Sequence, residues 1–166
     1  MRGVAICAAL AAVLSFRALP ALAAPISQQD VAFATKAAQG GAAEVADARQ
    51  ALQTSRNPSI DAFANRMVTD HSKANARLAA IMRAQGIAPP AAIGAENQAA
   101  YSRIEALTGR AFNVSYVAVE RTAHKETIAL FTREIQSGKD RQLVSFAKAT
   151  LPVVKMHLAM LANVAP

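Results

Sequence analysis

Between residues 58 and 85 the apolar side chains fall at Ile60, Ala64, Met67, Ala74, Leu78 and Ile81, with His71 in the same row. The steps alternate four and three, so the row lies along one face of a helix. A strand would need alternation at every second residue. Asn57-Pro58 precedes the segment, and proline suits a first helical turn, where its missing N–H is not needed. Gly86 stops it, and Ala88-Pro89-Pro90 follows. A helix of 25 or so residues is about 38 Å long, and a single apolar stripe of that length calls for partners of similar length.

The chain supplies three more such segments. The first helix is expected from Asp30, as N-cap or first-turn acid, to about Ser55, with Val31, Ala34, Ala38, Val45, Ala48 and Leu52 near helical spacing. Gly40-Gly41 lies inside it and costs about 1 kcal/mol per glycine unless a neighbouring helix approaches closely or the helix kinks. A third long helix is expected from Arg110 to Ser137, with Val117, His124, Ile128, Phe131 and Ile135 on one face. Gly138 would cap it. Asp140 opens a fourth, running to about Asn163 with Leu143, Ala147, Thr150, Val154, His157 and Leu161 on one face, and Pro152 should kink it. Between the two pairs, Glu96 to Leu107 forms a shorter helical connector carrying Tyr101, Ile104 and Leu107. The fold class is therefore all-α, an antiparallel four-helix bundle whose long crossover carries a short extra helix. The 53% hydrophobic content is largely alanine, aromatics are 5% and Trp is absent, which argues against an all-β fold.

Residues 1–23 read as a secretory leader: Met1-Arg2, an apolar stretch from Gly3 to Phe16, then small residues around Pro20 and an Ala21-Leu22-Ala23 cleavage site. The apolar run is short for a membrane span, which takes about 20 residues. Residues 24–166 form the expected domain, exported to the periplasm or the periplasmic face of the outer membrane, with no transmembrane span. The sole cysteine, Cys7, lies in the leader, so the mature chain has no disulfide and no thiolate ligand. The formal charge of +7 drops to about +5 without Arg2 and Arg17. The basic residues are interspersed with acids, which reads as a solvated surface, and export argues against nucleic acid. A partner, if any, is expected to be an envelope component or a second copy of the chain. There is no G-x-S-x-G, no phosphate-binding glycine loop and no H-E-x-x-H. Met67, Met82, Met156 and Met160 fit packing better than copper binding.

Several blocks resemble a bacterial family of exported proteins catalogued as domain of unknown function 4142 and often labelled predicted outer membrane protein. They are Asp30-Val31-Ala32-Phe33, the stretch Ala37 to Val45, Phe63 to Asn75, His124-Lys125-Glu126, Ser137 to Asp140, and Leu151-Pro152 ahead of His157-Leu158. The resemblance covers roughly Gln29 to Ala162. It implies a ferritin-like bundle with one long crossover, and it brings no established reaction or ligand.

The mature chain has three histidines, His71, His124 and His157, each on the apolar stripe of a different helix. Counted from the end carrying both tight turns, His71 and His124 lie about 20 Å down, His157 about 26 Å and Glu44 about 17 Å, at 1.5 Å per residue. Glu44, His71, His124 and His157 could thus converge on iron, zinc, copper or manganese, for which imidazole with carboxylate is a fitting donor set. Asp70 and Glu120 are the candidate outer partners, Glu120 holding the other ring nitrogen of His124. The blander alternative is a set of core histidines hydrogen-bonded to Asp70, Glu120, Thr150 or backbone. No Glu-x-x-His occurs, which argues against carboxylate-bridged di-iron chemistry. Two functions follow: a metal-binding envelope bundle, or a non-enzymatic stress or interaction module with an apolar patch, most reasonably on the connector. An enzyme would need a solvent-reached polar cavity beside the histidines, and the sequence offers no sign of one.

Overall fold

A computed structural model describes residues 26–166; the expected leader, with Cys7, lies outside the described residues. Five helices follow in order: α1 Gln28–Thr54, α2 Pro58–Ala84, α3 Ala95–Ile104, α4 Gly109–Ser137 and α5 Arg141–Met160. Among the described residues there is no strand. The two long pairs and the connector stand where the apolar rows put them.

Local chemistry explains each boundary. Ser27 caps α1: its Oγ accepts the Asp30 N–H at 3.1 Å and donates to the Asp30 carboxylate at 2.6 Å. Asp30 is therefore a first-turn acid and not the N-cap. Asn57 caps α2 through Ser59 N–H at 2.9 Å, with Pro58 in the first turn. At the far end Gly86 takes a φ of +73°, and Ile87 N–H returns to Met82 C=O at 2.8 Å. That closes a Schellman turn only glycine enters without strain. Gly138 ends α4 differently from expectation. Its φ is −63°, and a Cβ there would meet the Glu134 carboxylate and carbonyl. Close approach, not a left-handed turn, calls for glycine. The same reason holds at Gly41, where a Cβ would collide with the Asn75 side chain of α2. Helix α5 runs unbroken through Pro152.

The helices form a closed ring in which α1 touches α2 and α4, and α5 touches α4 and α2. Gln29 donates to Ser137 at 3.0 Å and Gln85 to Gln142 at 3.2 Å, so these residues share one end. Asn57 donates to the carbonyl of Ala165 at 2.6 Å, at the other end. The two tight turns thus lie at opposite ends of the bundle, correcting the common end assumed when heights were counted. The segment from Gln85 to Thr108 crosses the full length and lies along α1, with Gly94 against Gln39 and the Glu105 carbonyl accepting from Gln50. All four neighbouring pairs come out antiparallel, the ferritin-like arrangement.

The apolar interior is in two halves. One end holds Phe33, Leu78, Met82, Phe131, Leu143 and Phe146. The other holds Ile60, Phe63, Met67, Phe112, Tyr116 and Leu161, closed over by Ile104 of α3. Between them every long helix puts a buried ionisable side chain: Glu44, His71 and Glu120 with His124 from the middle stretches of α1, α2 and α4, and His157 from the last turn of α5. The connector turns its apolar residues inward, so it carries no apolar docking patch: Ile104 is fully buried and Leu107 packs on the core. Helix α5 alone among the described residues is long and apolar enough to cross a membrane, and it forms one wall of this bundle.

At the first end, Asp30 accepts the Lys139 N–H at 2.9 Å and ties α1 to the α4–α5 turn. Glu134 lies buried beside it, its carboxyl oxygens without hydrogen-bond partners. Burial, and then Asp30, push its pKa up to about 7. A raised carboxyl pKa in the folded state means that folding binds a proton, so stability falls as pH rises from about 4.5 to 7. Glu134→Gln should remove this decline, giving a melting temperature that exceeds wild type above pH 7 and converges with it near pH 4. Thermal melts across that range check it.

Candidate metal centre

The polar layer draws on the middle of α2 and α4 and on the last turn of α5. His71 of α2, His124 of α4 and His157 of α5 meet there. Their ring centroids are 5.2 Å apart for His71–His157, 5.6 Å for His124–His157 and 6.0 Å for His71–His124. One ring nitrogen from each lies within 4.8 Å of the others. With metal–nitrogen bonds of about 2.0–2.1 Å, three imidazoles in tetrahedral positions hold their centroids about 5 Å apart. The observed triangle needs only a small contraction to reach that.

Hydrogen bonds settle which nitrogen each ring presents. The Nδ1 of His124 is 2.7 Å from the Glu120 carbonyl, an acceptor, so Nδ1 carries the proton. Its Nε2 is buried and without a partner. The Nε2 of His157 donates to Asp70 at 3.0 Å, leaving a buried, unpartnered Nδ1. The Nε2 of His71 is likewise buried and unpartnered. Three buried nitrogens without partners, on rings whose centroids lie 5.2–6.0 Å apart, are costly in an apolar interior. Asp70 is itself held by Arg66, and hydrogen bonds from His157 and Arg66 keep its carboxyl below the usual range despite partial burial. This is how a carboxylate orients a metal-ligating imidazole. Burial depresses all three histidine pKa values, that of His71 to about 4, so the rings are neutral and ready to ligate.

The other expected residues sit elsewhere. Glu44 joins Glu120 around His124, forming a second group of close ligand atoms that shares only His124 with the first. Its Oε1 is 3.6 Å from His124 Nδ1, and Glu120 Oε2 is 3.7 Å from the same atom. Glu120 therefore holds His124 through its backbone carbonyl and not through its carboxylate, as the spacing had suggested. Thr150 makes no bond to a histidine among the described residues. Asp47 and Tyr116 were missed. Both border this acidic side of the layer, and both have buried, unpartnered oxygens. The spacing was available: Glu44-x-x-Asp47 on α1, and Tyr116, Glu120 and His124 one turn apart on α4. Burial, reinforced by Glu44, pushes Asp47 up to about 7 and Glu120 well above the carboxylate range. Burial also raises the Tyr116 phenol further.

Solvent reaches the layer from one side. A cleft of about 320 Å³ between α2 and α5 is lined by His71 and His157 together with Asp70, Lys73, Arg77 and Val154. A void of about 30 Å³, enough for one water, continues from His71 to Glu44.

A family model described as Domain of unknown function (DUF4142) matches residues 17–164. The chain belongs to that family. Its fold is similar to the crystal structure of a DUF305 fragment from Deinococcus radiodurans, with a TM-score of 0.74 at 14% identity, covering 84% of this chain and 97% of that one. At that identity the likeness concerns the fold. No curated protein matches the chain. DUF4142 membership brings no reaction, so the chemistry has to be read from the layer itself.

Two outcomes follow for the metal-free protein. Nitrogen-15 correlation spectra at pH 6 should show neutral rings, Nδ1-protonated for His124 and Nε2-protonated for His157. Because the folded pKa values lie below the unfolded one, the histidines' contribution to stability is lost as pH falls through 6.5 towards 4, opposite in sign to that of Glu134. Glu120→Met should raise unfolding free energy by about 1–3 kcal/mol in denaturant titrations, since it removes two unpartnered buried oxygens.

Proposed function

We propose that this chain is an exported envelope protein that binds one transition-metal ion in its core through His71, His124 and His157. The single observation that carries the reading is the meeting of three buried imidazoles from three helices, each with a ring nitrogen left without a partner. A neutral three-imidazole set with an open fourth position suits zinc, copper(II) or iron(II) and leaves a site for an external ligand. Asp70 fixes the His157 ring, and the Glu120 carbonyl fixes the His124 ring. The acidic pair Glu44 and Glu120 stands behind His124 and is able to offset added positive charge. The leader-like residues 1–23 support export, and metal capture or protection in the envelope is the role this combination fits.

The competing reading, an interaction module with structural histidines, would be favoured by a contiguous exposed apolar patch. The exposed large apolar side chains among the described residues are Val114 and Met156, on different helices.

Mature protein purified without a histidine tag should carry or take up close to one metal ion per chain by elemental analysis, after loading with iron, copper, zinc and manganese in turn. The His71→Ala/His124→Ala variant should stay helical by circular dichroism and bind at least about 100-fold more weakly. Saturation of the wild type at a hundred times Kd should add about 2.7 kcal/mol to its stability. Absence of metal after all four loadings would leave the histidines as structural residues.

A further inference from the structure

The cleft between α2 and α5 is sorted by chemistry along the two helices. Lys73 and Arg77, one helical turn apart on α2, stand exposed at its rim. Neither is ion-paired with a carboxylate among the described residues, and Arg77 is held in place with its guanidinium 5.9 Å from the Phe146 ring centroid. His71 and His157, both buried, line one end of the cleft. Along α5, Val154 and Val153 form an apolar wall between His157 and Phe146, the ring over which Arg77 lies. Along α2, Lys73 and Arg77 are about 3 and 9 Å from His71 at 1.5 Å per residue.

We propose that this cleft takes a small dicarboxylate, with one carboxylate on the open position of the metal ion and the other between Lys73 and Arg77. The inference rests on the metal centre proposed above. Its support is the order of the three zones. A cation at each end matches a negative charge at each end of the ligand, and the apolar wall between them matches a hydrocarbon spacer. The volume is that of a small-molecule site. Asp70 does not spoil the match, because Arg66 and His157 already hold its carboxylate. A monocarboxylate would occupy the metal and leave the rim unused. Inorganic phosphate would leave the apolar wall bare.

Cobalt(II)-loaded protein supplies the readout, because its visible absorption reports a change in the fourth ligand. Cobalt content is measured first, and then adipate, hexanoate and inorganic phosphate are titrated. Adipate should shift the spectrum and bind about three- to tenfold more tightly than hexanoate, the range for partly exposed charge-assisted contacts. The Lys73→Gln/Arg77→Gln variant should keep its cobalt and its affinity for hexanoate and lose the preference for adipate. Equal binding of the two acids by the wild type overturns the proposal. So does a preference for adipate that survives in the variant, or phosphate binding as tight as adipate. Full cobalt content with no response to any of the three overturns the cleft assignment and leaves the metal centre standing. No cobalt uptake overturns both.

Discussion

A layer of ionisable side chains cuts the interior of this bundle into two apolar halves, and the other features of the fold follow from having to hold it there. Glu44, His71, Glu120, His124 and His157, drawn from all four long helices, are buried away from bulk water. Backbone groups are occupied within the helices, apart from the Glu120 carbonyl that also receives His124. Burial of this kind opposes folding, so the two flanking clusters must supply the stability. They are built for it: aromatic rings meet edge to face at Phe33–Phe131 and stack at Phe112–Tyr116. The crossover helix adds Ile104 over the second cluster.

The layer is also asymmetric. On one side of His124 stand the carboxyls of Glu120 and Asp47, with pKa values raised by burial and by neighbouring carboxyls; on the other stand two more neutral imidazoles. His124 belongs to both groups, donating from Nδ1 towards the acidic side and presenting bare Nε2 on the opposite edge of the ring. A charge arriving at the imidazole side would therefore be felt by the carboxyls through one ring.

Much of this was legible in the residues, and the rest was hidden for definable reasons. The four-three spacing from Ile60 to Ile81 specifies helix and inward face together, and His71, in that row, is buried as the spacing requires. The same holds for His124 and His157. Their common height came out for a partly mistaken reason. The count began from a shared end, whereas the tight turns lie at opposite ends; His71 and His124 still meet because each is near the middle of a helix of 27 or 29 residues, and a midpoint is the same from either end. Glu44 does meet His124, but in a group with Glu120 and apart from His71 and His157, since height alone cannot tell which side of a ring a neighbour occupies. Asp47 and Tyr116 escaped notice because an acid or phenol within a helical row usually faces solvent, and only packing shows otherwise. The cleft beside His71 depends on the gap between α2 and α5, which no one-dimensional pattern contains.

The crossover has a consequence for how the site comes into being. Its passage from one end of the molecule to the other makes α1–α2 and α4–α5 two separate hairpins, each complete in its own turn. His71 belongs to the first, His124 and His157 to the second. Neither hairpin alone assembles three imidazoles, so the donor set exists only once the two have docked. An ion bound there would act as a clasp between independently formed pieces, and its occupancy would register their union.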